Sequence, residues 1–198
     1  MKKYIAKHVQ RDMPALDALQ KELKRERNKR RFRKLLRSTI RALIVVAAVA
    51  ALVATLVLTV LQIAGTSMEP SLEDGDLVLL VKTDNLETGD LCAFYYSNKI
   101  LIKRVIGTPG DYIWIEEDGT VYLNGQALEE PYVSAKALGE CDLEFPYQVP
   151  ENSYFVLGDH RETSIDSRSS VIGCIAEDQI VGRIFCKCWP LSEFTFMN

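Results

Sequence analysis

Three stretches of this chain carry side chains able to do chemistry. Gly65-Thr66-Ser67-Met68-Glu69-Pro70 sets a serine hydroxyl in a turn flanked by glycine and proline. Such a turn presents the hydroxyl and leaves backbone N–H groups free, which a developing oxyanion needs. Leu101-Ile102-Lys103-Arg104-Val105-Ile106-Gly107 reads as a strand, so Lys103 and Arg104 point to opposite faces. One basic residue then faces inward among apolar neighbours, or both faces are wet. An ammonium taken inside loses hydration, its pKa falls, and the neutral amine becomes a base. Gly158-Asp159-His160-Arg161-Glu162-Thr163-Ser164-Ile165-Asp166-Ser167-Arg168 mixes carboxylates and guanidinia in a loop after a strand. Asp166 and Arg168 suit a bidentate pair that stiffens the loop, and Ser164 offers a hydroxyl that can hold another side chain. Taken singly, each stretch also has a plain structural reading: a turn serine, two solvated charges on an edge strand, a surface ion-pair network.

The elements that must position these groups are mostly strands. Apolar runs fall at Asp76–Lys82, Ile100–Ile106, Tyr112–Ile115, Val121–Leu123, Ser153–Leu157 and Ile180–Trp189. Turn clusters separate them, and Asn124-Gly125 after Leu123 is a two-residue hairpin signal. The pattern predicts a mainly β fold class: a barrel-like or sandwich domain of antiparallel and mixed sheets over residues 63–198. Residues between Pro131 and Pro150 are less regular and read as a loop or insertion.

Ahead of that domain the chain changes character. Residues 1–41 hold 15 of the 24 Lys/Arg and 4 of the 27 Asp/Glu, a net of +11, whereas residues 42–198 carry a net of −14. Between the two charge blocks Ala42–Leu61 runs for 20 residues without a charge, and Thr55 and Thr59 are its only polar members. A helix crossing the hydrocarbon core needs about 20 such residues, and this run has no polar face at helical period. It predicts one transmembrane helix over residues 42–62, an uncleaved anchor. The cations before it place a basic, helical arm, residues 1–41, in the cytoplasm and the β domain outside the cytoplasmic membrane. Leu16, Leu19 and Leu23 share one face of that arm. A solvated topology signal is the reading favoured for the arm over a lipid or partner site, and no nucleic-acid partner is expected.

Cys92, Cys141, Cys174, Cys186 and Cys188 all follow the apolar run, and an odd count leaves at least one thiol unpaired. No metal-ligand pattern emerges: His160 is the only histidine beyond the arm, and no paired CxxC occurs. Neither a metal nor an organic cofactor is expected.

In order and spacing, Ser67-Met68-x-Pro70, Lys103-Arg104-Val105-Ile106-Gly107-x-Pro109-Gly110-Asp111 and Gly158-Asp159-x-Arg161-x-x-Ser164-x-Asp166-Ser167-Arg168 resemble the boxes of bacterial type I signal peptidases. The single N-terminal anchor is similar to the one-span form of Gram-positive bacteria. Asp76-Leu77-Val78, Leu123-Asn124-Gly125 and Glu130-Pro131-Tyr132 are similar to the family as well. The resemblance implies a membrane-bound serine endopeptidase that removes signal peptides from exported preproteins after small residues, as in Ala-x-Ala. It implies Ser67 as nucleophile and Lys103 as general base, forming an acyl-enzyme. Ser164 orients the amine, Asp166 and Arg168 hold the loop, and the Ser67 N–H faces the oxyanion. Gly65 stands where some relatives have a further hydroxyl, Thr108 where an aliphatic residue is usual, and His160 where asparagine is usual. A Ser–His arrangement is the alternative, set aside because Lys103 fills the lysine position. The substrate is expected extended beside Asp76–Lys82 and Leu101–Arg104, with Met68, Leu77, Val78 and Ile102 forming its pockets. Its partners would be preproteins, the lipid bilayer and the secretion translocon. A soluble self-cleaving repressor of similar chemistry lacks the apolar span, whereas a processing peptidase with few substrates would share every feature.

Overall fold

The computed structural model describes residues 16–197. The arm before Leu16 lies outside the described residues. Leu16–Val57 is one α-helix, α1. Leu, Ala, Arg, Lys and Glu dominate it, all strong helix formers, and Asp17 sits in its positive first turn. It is long and apolar enough to cross a membrane by length and composition. The chain divides into two compact units after Val53.

The apolar run does not stay helical to residue 62. Leu58–Gln62 is strand β1, paired antiparallel with β2, Leu77–Val81, from Leu58↔Val81 to Gln62↔Leu77. Hydropathy alone cannot separate the end of an apolar helix from a buried strand. Here β2 satisfies the backbone of Leu58-Thr59-Val60-Leu61, and the Lys82 N–H also reaches the Val57 carbonyl (3.1 Å).

The remaining strands are β3 Leu91–Tyr96, β4 Lys99–Gly107, β5 Tyr112–Ile115, β6 Val121–Leu123, β7 Gln126–Ala127, β8 Tyr147–Gln148, β9 Ser153–Leu157, β10 Ile175–Ala176, β11 Ile180–Trp189 and β12 Thr195–Phe196. One sheet runs β1-β2-β11-β3-β4-β9-β10, with β12 on β11, and a second runs β7-β6-β5-β8. The β-rich class follows the sequence pattern, with two differences. Every pairing among the described residues is antiparallel rather than mixed, and the larger sheet ends at β1 and β10 without closing into a barrel. Asn124-Gly125 makes the β6–β7 turn with φ of 53° and 81°, the left-handed pair that such a hairpin requires.

Three clusters of buried side chains form the core. Met68, Leu72, Val78, Leu80, Leu91 and Ile184 pack beneath the Ser67 turn. Cys92, Phe94, Val105, Tyr154 and Val156 pack together as a second cluster. Ile106, Ile113, Val121, Phe155 and Leu157 join the two sheets. Met68 thus anchors the turn while its neighbour Ser67 stays half-exposed. The five cysteines are free thiols, and burial pushes the Cys92 thiol up to about 12, which leaves it inert.

Candidate active site

The Ser67 turn is fixed at both ends. The Gly65 N–H donates to Asp74 Oδ1 (2.8 Å), with Gly65 at φ 97°, where a side chain would be strained. Glu69 N–H closes on the Thr66 carbonyl (3.1 Å) and Leu72 N–H on the Met68 carbonyl (2.9 Å). The Ser67 N–H has no protein acceptor among the described residues.

Strand β4 brings Lys103 to this turn. Cys92 lies opposite it on β3, and the lysine is 4% exposed. Its Nζ donates to Ser67 Oγ (2.8 Å) and to Ser164 Oγ (2.9 Å). Burial lowers its pKa from 10.5 to about 8; Asp166 and Asp159 pull it upward and Arg168 pushes it down. At neutral pH a tenth or so of such amines is free base, against well under a thousandth for a solvated lysine.

Arg104, on the opposite face, is buried as well at 6% exposure. The choice between one inward base and two wet faces is resolved as neither, because the second cation has its own partners. Arg104 forks onto Asp159 (Nε–Oδ1 2.9 Å, Nη2–Oδ2 2.7 Å), donates to the Gly89 carbonyl (2.8 Å) and lies 3.8 Å from the Tyr132 ring centre. A guanidinium suits a planar fork and an aromatic face together.

The loop after β9 carries Ser164 to Lys103. Arg168 forks onto Asp166 (2.8 Å and 2.8 Å), both fully buried, and donates to the carbonyls of Leu138, Arg161 and Ser164. Asp166 Oδ2 also accepts the Gly158 N–H (2.9 Å), and the His160 N–H donates to the Ser67 carbonyl (3.1 Å). Gly158 has no room for a side chain: a Cβ there would collide with Ser164 Oγ and the Ser67 carbonyl. The His160 side chain makes no hydrogen bond to Ser67, and its Nδ1 is buried without a partner. Ser67 Oγ therefore meets Lys103 Nζ and not the His160 ring.

A cavity of about 60 Å³ adjoins Ser67, lined by Ile63–Gly65, Met68 and Ile100–Lys103. Met68 and Ile102 belong to it. Leu77 and Val78 do not: Val78 is wholly buried in the core and Leu77 is half-buried on β2. Nor does β2 offer a free edge, since β1 and β11 occupy both sides. The expectation of a substrate beside Asp76–Lys82 fails on that ground. β4 does have one: β3 pairs it from Lys99 to Arg104, but β9 only from Arg104 onward. A larger groove of about 370 Å³ over Tyr112, Trp114 and Tyr122 lies on the second sheet and holds none of these groups.

Replacing Ser164 by Ala removes one of the two oxygens that meet Nζ. A hydrogen bond to a charged group contributes about 1.5–3 kcal/mol, and Nζ becomes charged as it takes a proton, so kcat should fall roughly 10–100-fold with KM little changed. Steady-state peptide cleavage measures it, and an unchanged kcat would remove Ser164 from the site.

The sequence profile described as signal peptidase, peptidase S26, matches residues 36–189. Signal peptidase IB of Staphylococcus aureus strain MRSA252 is 38% identical over 155 residues, covering 68% of this chain and 79% of that protein. Signal peptidase I T of Bacillus subtilis strain 168 is 40% identical over 144 residues, 66% of this chain and 74% of that one. A solved signal peptidase I from Enterococcus faecalis V583 is 29% identical, with a TM-score of 0.43 over 50% of this chain and 96% of that one. The chain belongs to the signal peptidase family, peptidase S26, and is a serine endopeptidase of signal-peptide processing.

Proposed function

We propose that the chain cleaves signal peptides from exported preproteins after small residues, through a Ser67–Lys103 dyad and an acyl-enzyme. The observation that carries this reading is the 2.8 Å contact of a buried Lys103 Nζ with Ser67 Oγ. Neutral Lys103 takes the Ser67 proton as Oγ attacks the scissile carbonyl carbon. The oxyanion meets the Ser67 N–H. The new ammonium then gives its proton to the leaving amine, which departs as the new N-terminus of the mature protein. Lys103, neutral again, deprotonates a water that hydrolyses the Ser67 ester, releases the signal peptide and restores the hydroxyl. Ser164 keeps the amine on line, and Asp166 with Arg168 fixes the loop that carries Ser164.

The substrate lies extended along the unpaired edge of β4 at Lys99–Lys103, where it can complete main-chain hydrogen bonds. The cavity between Met68 and Ile102 is small, which suits alanine and excludes aromatic side chains. The basic stretch up to Arg41, which includes the first part of α1, lies in the cytoplasm, the apolar remainder of α1 crosses the bilayer, and the β domain, which begins with β1 at Leu58, works on the outer side, beside the secretion translocon. Ser67 follows the helix end at Val57 by ten positions. Enzyme and cleavage site are thus held near one membrane plane, which raises their effective concentration.

The pH profile tests this reading together with substrate changes. Lys103 must be neutral to act, so kcat/KM should rise with pH through about 8 and then level. Replacing the alanine at −1 of a preprotein by phenylalanine should abolish cleavage. A profile flat from pH 6 to 9, or equal cleavage of the phenylalanine substrate, would contradict the dyad or the specificity respectively.

A further inference from the structure

The irregular segment between β7 and β8 supplies two side chains, Glu130 and Tyr132, that have no part in the proposed dyad. The Glu130 side chain is fully buried and accepts from both terminal nitrogens of Arg161, Nη1 on Oε2 at 3.1 Å and Nη2 on Oε1. Tyr132 Oη donates to Glu130 Oε1 (3.2 Å), while its ring covers Arg104. Arg161 Nε donates to the Gly158 carbonyl (3.0 Å), and the Arg161 carbonyl accepts from Arg168 Nη2 (2.9 Å).

Gly158 is therefore gripped from both sides. Its N–H is held by Asp166, backed by Arg168, and its carbonyl by Arg161, backed by Glu130. Gly158 is also the residue that packs directly on Ser164 Oγ and the Ser67 carbonyl. A shift of its peptide moves both hydroxyl-bearing residues against Lys103. An ion pair that served stability alone would be a poor choice in this place, because apolar side chains of equal volume hold a buried site as well or better. What a two-point fork adds is direction.

We infer that Glu130 is a positioning residue of the hydrolytic site: through Arg161 it fixes the Gly158 carbonyl, and so the spacing of Ser67, Lys103 and Ser164. The inference rests on the Ser67–Lys103 reading. Tyr132 orients the Glu130 carboxylate and ties it to the Arg104–Asp159 pair, so the segment acts as a strap over both ends of the loop. Misplacing a reacting group by about 1 Å can cost on the order of 100-fold in rate.

The test uses the full chain in detergent with a preprotein bearing an Ala-x-Ala site. Folded fraction is counted by near-ultraviolet circular dichroism. Glu130→Gln keeps the volume and removes the charge. Its kcat per folded molecule should fall roughly 10–100-fold while KM stays within about twofold. Glu130→Asp, which keeps the charge, should recover part of the loss. A stabilising role alone would lower the folded fraction and leave kcat per folded molecule untouched, and that result overturns the inference. Should Glu130→Gln not fold, Tyr132→Phe decides: it removes the 3.2 Å bond and keeps the ring over Arg104. A several-fold lower kcat supports the inference, and a wild-type kcat overturns it. Lys103→Met in the same assay separates the two readings. If it still cleaves, the dyad fails and this inference with it; if it is silent while Glu130→Gln keeps full kcat, only this inference fails.

Discussion

Lys103→Met should lose cleavage by roughly 10⁴-fold or more and yet gain stability. On the proposed Ser67–Lys103 dyad, the rate loss follows because a serine hydroxyl without its base is a poor nucleophile, and losing the base costs about as much as losing the nucleophile. The stability gain follows from proton linkage. Lys103 has a folded pKa of about 8 against 10.5 in the unfolded chain. Below pH 8 both states are protonated, and the fold carries the full cost of an ammonium held in a desolvated site. Between 8 and 10.5 the folded state releases its proton while the unfolded state keeps it, so stability rises with pH there. The cost removed by methionine at neutral pH is roughly 3 kcal/mol, offset by about 1 kcal/mol for each hydroxyl left without its amine. A net gain on the order of 1–2 kcal/mol should appear as a higher unfolding midpoint in detergent at pH 7. By pH 10.5 the ammonium's cost is nearly gone while both hydroxyls still lack their amine, so the sign should reverse and the variant should be the less stable by about 1–2 kcal/mol. A variant both inactive and less stable at pH 7 would mean that Lys103 is held as a structural cation.

Arg168→Met should cause the largest loss of stability. It strands the Asp166 carboxylate and removes the donor from the carbonyls of Leu138, Arg161 and Ser164, all around a fully buried pair. Breaking one partner of such a pair costs about 3–5 kcal/mol. The two partners also act on Lys103 in opposite directions, Asp166 raising its pKa and Arg168 lowering it. Among molecules that fold, Arg168→Met should move the rising limb of kcat/KM to higher pH, and Asp166→Asn should move it lower. Thermal unfolding measures the first effect and the pH profile the second. Limbs that stay in place in both variants would confine the pair to a structural role.

Much of the site is legible from residue order because its parts sit in short motifs. Ser67 lies in a Gly/Pro turn, Lys103 in an apolar strand, and Ser164, Asp166 and Arg168 within five positions of one another. The strands are legible for a similar reason: β4, β9 and β11 are runs of Val, Ile and Phe bounded by turns. What is hidden depends on distant pairing. The helix ends at Val57 because β2, some 20 residues on, takes the next five residues as a strand, and no local signal marks that change. Val78 reads as a pocket residue until the fold turns its side chain into the buried cluster with Met68, Leu72 and Leu80. Glu130 and Tyr132 sit in a stretch without periodicity, and their partners Arg161 and Arg104 lie about 30 residues away on either side. One signal was available: Arg104, Asp159, Arg161, Asp166 and Arg168 are five charges crowded around apolar strands, and buried charges need partners.

The most direct test of the Ser67–Lys103 reading is cleavage of a preprotein with an Ala-x-Ala site by the wild type and by Ser67→Ala, with the product's new N-terminus sequenced. The expected result is a single cut after the second alanine by the wild type and none by the variant, which stays folded. Cleavage by folded Ser67→Ala, or a cut elsewhere in the preprotein, would contradict the reading.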